Sequence, residues 1–367
     1  MLKIRIIGFT AALFLMACSP EEHTYEPVIN EKLPFKIPSN FKNPGVSVQY
    51  KLERNPPTQK GFELGRKLFY EGRLSRNGIV SCGFCHIQPY AFTHHGHQFS
   101  HGVAGRIGSR NAPTIQNAAF MNAFAWDGAA PNLDLFYIIP LLSPLEMDNE
   151  TLDDFLDKLK ADKEYPKLFA EAFEDGKISF NNVSKALSQF LLMMISANSK
   201  YDKYVRHEQG VTFTAQEQKG LDLFKDKCAT CHATDLFTDG SFRNNGLPPY
   251  PGLDDKGLAG VSFDKDDQYK FKVPSLRNVA VTKPYMHDGR FGSLESVLDF
   301  YAYKVKKSPT LDPILKQEDG TFGIPLKEDE KKALIAFLKT LTDDTYLKDE
   351  RFSEKSTIEN IKPVFPK

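Results

Sequence analysis

The chain of 367 residues carries 47 Lys and Arg against 47 Asp and Glu, with 41% hydrophobic residues and five cysteines. That length and apolar content support two or three domains with their own cores, while the balanced charge leaves no basic excess to displace counterions from nucleic acid, so no nucleic-acid partner is expected. One apolar run, Ile4 to Ala17, could enter a membrane, but it is shorter than the roughly 20 residues a spanning helix needs.

The chain opens with Lys3 and Arg5, an apolar stretch from Ile6 to Met16, and Leu15-Met16-Ala17-Cys18, the layout of a cleaved secretory signal. The Leu-x-Ala-Cys ending resembles a bacterial lipoprotein signal. That likeness implies loss of the leader, lipidation at Cys18, and a periplasmic protein that touches the membrane through its lipid anchor alone; an ordinary signal with an incidental cysteine is the plainer alternative. Residues 19–56 are rich in proline and hold no lasting helical or strand period, so they read as an extended tether.

Next comes a segment with helical apolar spacing around Gly65-Arg66-Lys67-Leu68-Phe69, followed by Cys82-Gly83-Phe84-Cys85-His86. A second such segment, Gly220-Leu221-Asp222-Leu223-Phe224, precedes Cys228-Ala229-Thr230-Cys231-His232, and Phe92-Thr93 and Phe237-Thr238 follow the two motifs at similar distances. C-x-x-C-H is the signature of covalent c-type haem attachment: two thiols add to the porphyrin vinyl groups, and the adjacent imidazole ligates the iron. Zinc knuckles and structural disulfides are the competing readings; the wide separation of the motifs opposes the first, and the strained small ring of a C-x-x-C disulfide opposes the second. Further helices are expected at 152–159, 183–195, 294–303 and 328–341, and strand signals are scarce. The expected fold is mainly α: two cytochrome c-like haem domains from a diverged duplication, an N-terminal one over 57–205 and a C-terminal one over 206–345, joined near 200–214, with a tail over 346–367.

Several ordered blocks accompany the motifs: Gly108-Ser109-Arg110-Asn111-Ala112-Pro113-Thr114, Phe124-Ala125-Trp126-Asp127-Gly128, Ser143-Pro144-Leu145-Glu146-Met147, Phe271-Lys272-Val273-Pro274-Ser275-Leu276-Arg277-Asn278, and Pro284-Tyr285-Met286-His287-Asp288-Gly289. Together they resemble the bacterial di-haem cytochrome c peroxidase family, which includes MauG. The resemblance implies that the N-terminal haem, on His86, meets hydrogen peroxide and that the C-terminal haem, on His232, receives electrons. It also implies that Glu146 is the distal acid-base group, that Trp126 lies between the haems, and that Asn111, Thr282 and Pro284 bind Ca²⁺. Taken without the resemblance, Glu146 reads as an acidic residue at a helix N-terminus and Trp126 as a core aromatic.

The chain departs from the family pattern in places. Tyr301 stands fourteen residues after His287, where peroxidases have a ligating Met and MauG a Tyr. The rival ligand is Met286, and the plain reading of Tyr301 is a helix face closed against the core. His101 matches the loop histidine that caps the resting N-terminal iron, with His94, His95 and His97 crowding the same loop, and Phe136 replaces the usual distal Gln. The leading expectation is an exported peroxidase that reduces hydrogen peroxide to water with electrons from a small cytochrome c or cupredoxin. The alternatives are a MauG-type oxidase acting on a protein or organic substrate through a bis-ferryl state, and a membrane-tethered electron carrier with no enzymatic activity.

Overall fold

The computed structural model describes residues 30–42 and 45–354. Cys18, the leader and the first part of the tether lie outside the described residues. Among those described, the chain folds into helices and short 3-10 turns with one antiparallel two-stranded sheet, in which Phe242 pairs with Lys272 and Arg243 with Phe271. The fold is mainly α, and no described helix is long and apolar enough to cross a membrane.

Two helix pairs organise the two halves. Helix Gln59–Phe69 starts where the Thr58 side chain accepts the Gly61 N–H, and helix Phe180–Leu192 where Ser179 accepts from Asn182. Helix Ala215–Lys227 opens on a Thr214–Glu217 capping box and meets helix Glu328–Lys339. Gly65 and Gly220 make the two crossings possible. A Cβ would fall 1.9 Å from the Ala186 carbonyl oxygen in the first and 2.0 Å from that of Ala333 in the second, with Phe190 and Phe337 flanking. Each crossing is backbone against backbone, so the duplication includes the partner helices 180–192 and 328–339.

Helix 294–303 has the expected bounds and 153–160 lies one residue along, but 180–192 starts three residues before the apolar pattern and ends three before its close. Its start is fixed by the Ser179 cap. Met194 is fully buried after the helix has ended, so the apolar run there reports burial and not helical continuation.

A second layer of repetition carries a constant offset of 161 residues. Asn117 and Asn278 both adopt left-handed φ and open the 3-10 turns Ala118–Phe120 and Val279–Val281. Bridges Phe124 to Ala130 and Tyr285 to Phe291 then close loops holding Trp126-Asp127-Gly128 and His287-Asp288-Gly289. Asn132 and Ser293 cap the helices that follow.

The ends of the described chain pack on the N-terminal half. Residues 30–42 and 45–56 form no helix, yet Phe41 is buried edge-on against Phe120, and the Leu33 N–H donates to the Pro57 carbonyl at 2.9 Å. The tether therefore has a docked part. At the other end Tyr346, Leu347 and Phe352 join the core that contains Phe62, Phe92 and Phe190. Residues up to 354 of the expected tail thus complete the N-terminal half, because three large apolar side chains gain about 1.5 to 3 kcal/mol each on full burial.

Candidate haem sites and the junction between them

Each haem motif folds as one helical turn that presents its histidine. The His86 N–H donates to the Cys82 carbonyl at 2.9 Å, and that of His232 to the Cys228 carbonyl at 3.0 Å. Behind the rings, Nδ1 of His86 lies 2.6 Å from the Phe92 carbonyl and Nδ1 of His232 lies 3.1 Å from the Pro274 carbonyl. Burial pushes the His86 imidazole down to about 4 and lowers His232 as well, so both rings are neutral. A neutral ring that donates through Nδ1 keeps the Nε2 lone pair for a metal.

His86 and His232 line one cavity of about 330 Å³ whose walls are largely apolar. Cys228 and Cys231 are among the walls, whereas Cys82 and Cys85 belong to the turn behind His86; all four thiols are unpaired. One neutral imidazole per half on this apolar space, with two unpaired thiols in the turn before each, fits covalently attached haem. Haem bound there would supply iron for redox chemistry and for relaying electrons.

Glu146 sits in the turn after helix Ile138–Leu142 and not at a helix N-terminus. Its carbonyl accepts the Val103 N–H at 2.8 Å, and a Cβ on Gly102 would come within 2.2 Å of the Leu145 carbonyl, so the 101–103 loop is laid directly against this turn. Burial raises the Glu146 carboxyl against an opposing Ser143 hydroxyl; burial also raises the Cys82 and Cys85 thiols, and the Glu146 charge adds to it. The structure therefore brings Glu146 to the first haem motif, although it is not a wall of the cavity. His101 is not a wall either. Its ring centre lies 4.5 Å from that of His97 and 5.7 Å from that of His94, and its carbonyl is 3.6 Å from the Cys85 Sγ. His95 stacks on Tyr90 at 3.7 Å. Phe136 lines the cavity, with an aromatic ring where an amide was expected.

Trp126 stands at the junction of the halves, where its Nε1–H donates to the Asn111 carbonyl at 2.8 Å. The Asn111 N–H donates to the His287 carbonyl at 2.7 Å, and the Lys272 N–H donates to the Trp126 carbonyl at 2.8 Å. Asn111 and Lys272 are 161 residues apart, as are Trp126 and His287, so the two bonds are pseudo-symmetric mates. Asn111, Thr282 and Pro284 all line the cavity beside this junction.

Around His232, both candidate ligands face the same cavity. The Asn245 amide lies 3.3 Å from the Tyr301 hydroxyl and 3.7 Å from the Met286 sulfur, and burial pushes the Tyr301 phenol up to about 12. Asn245 had no role in the sequence reading, and nothing local in the sequence signals one. Lys272 was also passed over, although it lies in a quoted block; the repeat that pairs it with Asn111 was the available signal.

A model of the family described as di-haem cytochrome c peroxidase matches residues 59–210. The methylamine utilization protein MauG of Methylorubrum extorquens is 34% identical over 319 residues, covering 84% of each chain. The cytochrome c peroxidase Ccp of Escherichia coli is 33% identical over 305 residues, covering 81% of this chain and 59% of its own length. Among solved structures, a MauG-like protein associated with microbial copper homeostasis has a TM-score of 0.76 at 34% identity, covering 88% of this chain and 99% of that one. These relatives displace the reading as a carrier without enzymatic activity. With two haem motifs on a mainly α duplicated fold, the chain belongs to the di-haem cytochrome c peroxidase and MauG family of haem-dependent oxidoreductases.

Proposed function

We propose that the protein is an exported, lipid-anchored periplasmic peroxidase that reduces hydrogen peroxide to two waters, consuming two protons and two electrons. Electrons come from a small cytochrome c or cupredoxin through the C-terminal haem, and Ca²⁺ is held near Asn111, Thr282 and Pro284. The observation that carries the reading is the asymmetry of two otherwise matched halves. Tyr301 follows its helix cap, Ser293, by eight residues; eight residues after the matching cap, Asn132, stands Pro140, which has no ligating group. The C-terminal half would thus offer haem iron a phenol oxygen where the N-terminal half offers no ligating side chain, a place a substrate could take.

The chain's own groups divide the work. His86 and His232 would hold the two haem irons as neutral imidazoles. Glu146, with its carboxyl raised by burial, takes a proton from one peroxide oxygen and returns it to the other as the O–O bond breaks. Trp126 gives the electron a polarisable group on the path between the halves. Tyr301 would ligate the iron of the C-terminal haem, where a phenolate oxygen would favour the ferric state and a thioether the ferrous one.

Tyr301 together with Phe136 supports a second reading, a MauG-type oxidase that uses peroxide to withdraw electrons from a protein or organic substrate. Purified holoprotein supplied with a reduced small cytochrome c separates the two. Peroxidase function predicts sustained turnover with two donor equivalents oxidised per peroxide. Failure to turn over with cytochrome or cupredoxin donors, with oxidation of added tyrosine- or tryptophan-bearing substrates instead, assigns the oxidase. The anchor is tested by Cys18→Ser, which should move the protein from the membrane to the soluble fraction.

A further inference from the structure

Three Lys or Arg side chains line the cavity, and two of them have carboxylate partners. Arg243 bonds Asp239 and Asp312, each at 2.8 Å, and Lys227 lies 3.8 Å from Asp226. Lys272 differs. Its Nζ donates to the Ala123 carbonyl at 2.9 Å and lies 6.0 Å from the centre of the Phe124 ring, and no carboxylate pairs with it among the described residues. Burial lowers the ammonium to about 8 with nothing to oppose it. A cation in such surroundings is costly unless an anion joins it.

The repeat says what kind of place this is. Lys272 is the mate of Asn111 at the constant offset of 161 residues, and Ala123 is the mate of Pro284. The ammonium, carried by the residue that corresponds to Asn111, therefore rests on the carbonyl that corresponds to that of Pro284. Across the pseudo-twofold relation, Asn111 and Pro284, one from each half, belong to the oxygen set read as a cation site. One of the two pseudo-symmetric positions thus holds oxygen donors where the other carries a covalently built-in positive charge.

We propose that Lys272 is an internal cation at the inter-haem junction, the pseudo-symmetric counterpart of the metal position around Asn111, and that its ammonium pairs with a haem propionate in the cavity. Propionates are the anions that a haem would bring to this space, and a positive charge held beside one favours the reduced state of that haem. Lys272 is a positioning and tuning residue: it touches the cofactor's carboxylate and not the reacting oxygens. The inference rests on haem filling the cavity and is independent of whether the enzyme serves as peroxidase or oxidase.

The test uses full-length holoprotein as wild type, Lys272→Met and Lys272→Arg, with haem counted by pyridine haemochrome and both reduction potentials read by spectroelectrochemistry. With two haems attached, Lys272→Met should lower the potential of one haem, moving its ferric–ferrous equilibrium about tenfold, or 59 mV for one electron. Lys272→Arg should remain within about threefold of wild type, about 28 mV on the same scale. The resonance-Raman bending mode of a haem propionate should move in the Met variant and return in the Arg variant. Unchanged potentials in Lys272→Met overturn the proposal, as do equal shifts in both variants, which mark packing and not charge. Should the Met variant not accumulate, Lys272→Gln keeps a donor for the Ala123 carbonyl, removes the charge and carries the same comparison. A wild-type count below two haems sinks the haem reading of the cavity itself, and is thereby distinguished from a failure at Lys272.

Discussion

At Glu146 the chain places a carboxyl in a turn where burial disfavours its charge, beside the thiols of the first haem motif. Glu146→Gln preserves shape and removes proton transfer, so both haem spectra should stay nearly unchanged while the reaction with peroxide slows by roughly 10² to 10⁴ in stopped-flow traces. Because burial raises the wild-type carboxyl, the acid limb of its pH–rate profile should lie above the ordinary glutamate range, and that limb should vanish in the Gln variant. An unaltered rate would reduce Glu146 to a structural acid. Tyr301 decides between the two halves of the family. As a phenolate ligand it predicts a low-spin haem without the near-infrared thioether band, and Tyr301→Met should create that band and raise the potential. A wild-type band that disappears in Met286→Ala would transfer the ligand role to Met286. At this scale the haem motifs were legible because covalent attachment demands specific residues at fixed spacing. Asn245 was not, since an amide acquires its meaning only from what it touches, here both rival ligands.

The elements show a different balance. Apolar periodicity located the major helices because a buried stripe must recur with the helical turn, and it overran the end of 180–192 because Met194 is buried without being helical. What periodicity could not express is the pairing of helices across 121 and 113 residues, from Gly65 to Ala186 and from Gly220 to Ala333. Both glycines admit a close crossing of two backbones. Gly65→Ala and Gly220→Ala each force a carbonyl and a methyl into the same space, so each should destabilise the holoprotein by about 1 to 3 kcal/mol in denaturant titrations, despite the better helix propensity of alanine. A neutral or stabilising result at either site would show that the crossing has slack, and would weaken the argument that the halves share one architecture.

Across the whole molecule, the halves are locked by Arg277, which is fully buried and grips Asp202 with both terminal nitrogens at 2.8 and 2.9 Å. Asn40, from the docked part of the tether, donates to the same carboxylate at 2.7 Å. Burial by itself would raise the Asp202 carboxyl, but the Arg277 guanidinium overrides it and holds the group below the usual carboxylate range. A depressed carboxyl contributes stability that is present above its unfolded value and lost as the pH falls through the folded one. Arg277→Met leaves a buried carboxylate unpaired and should cost about 3 to 5 kcal/mol at neutral pH. The loss should narrow toward acid in denaturation curves taken across that range, and equal losses at every pH would assign the effect to packing.

Composition, two C-x-x-C-H motifs and the ordered blocks were enough to reach the mainly α fold, the duplicated haem halves and the family, because these depend on residue types at short range. The helix crossings, the seating of both ends of the described chain on the N-terminal half and the pseudo-symmetric junction of Asn111, Trp126, Lys272 and His287 were decided by tertiary structure. There most of the partners are distant in the chain, and charge and hydrogen bonding take their value from burial that no local pattern records.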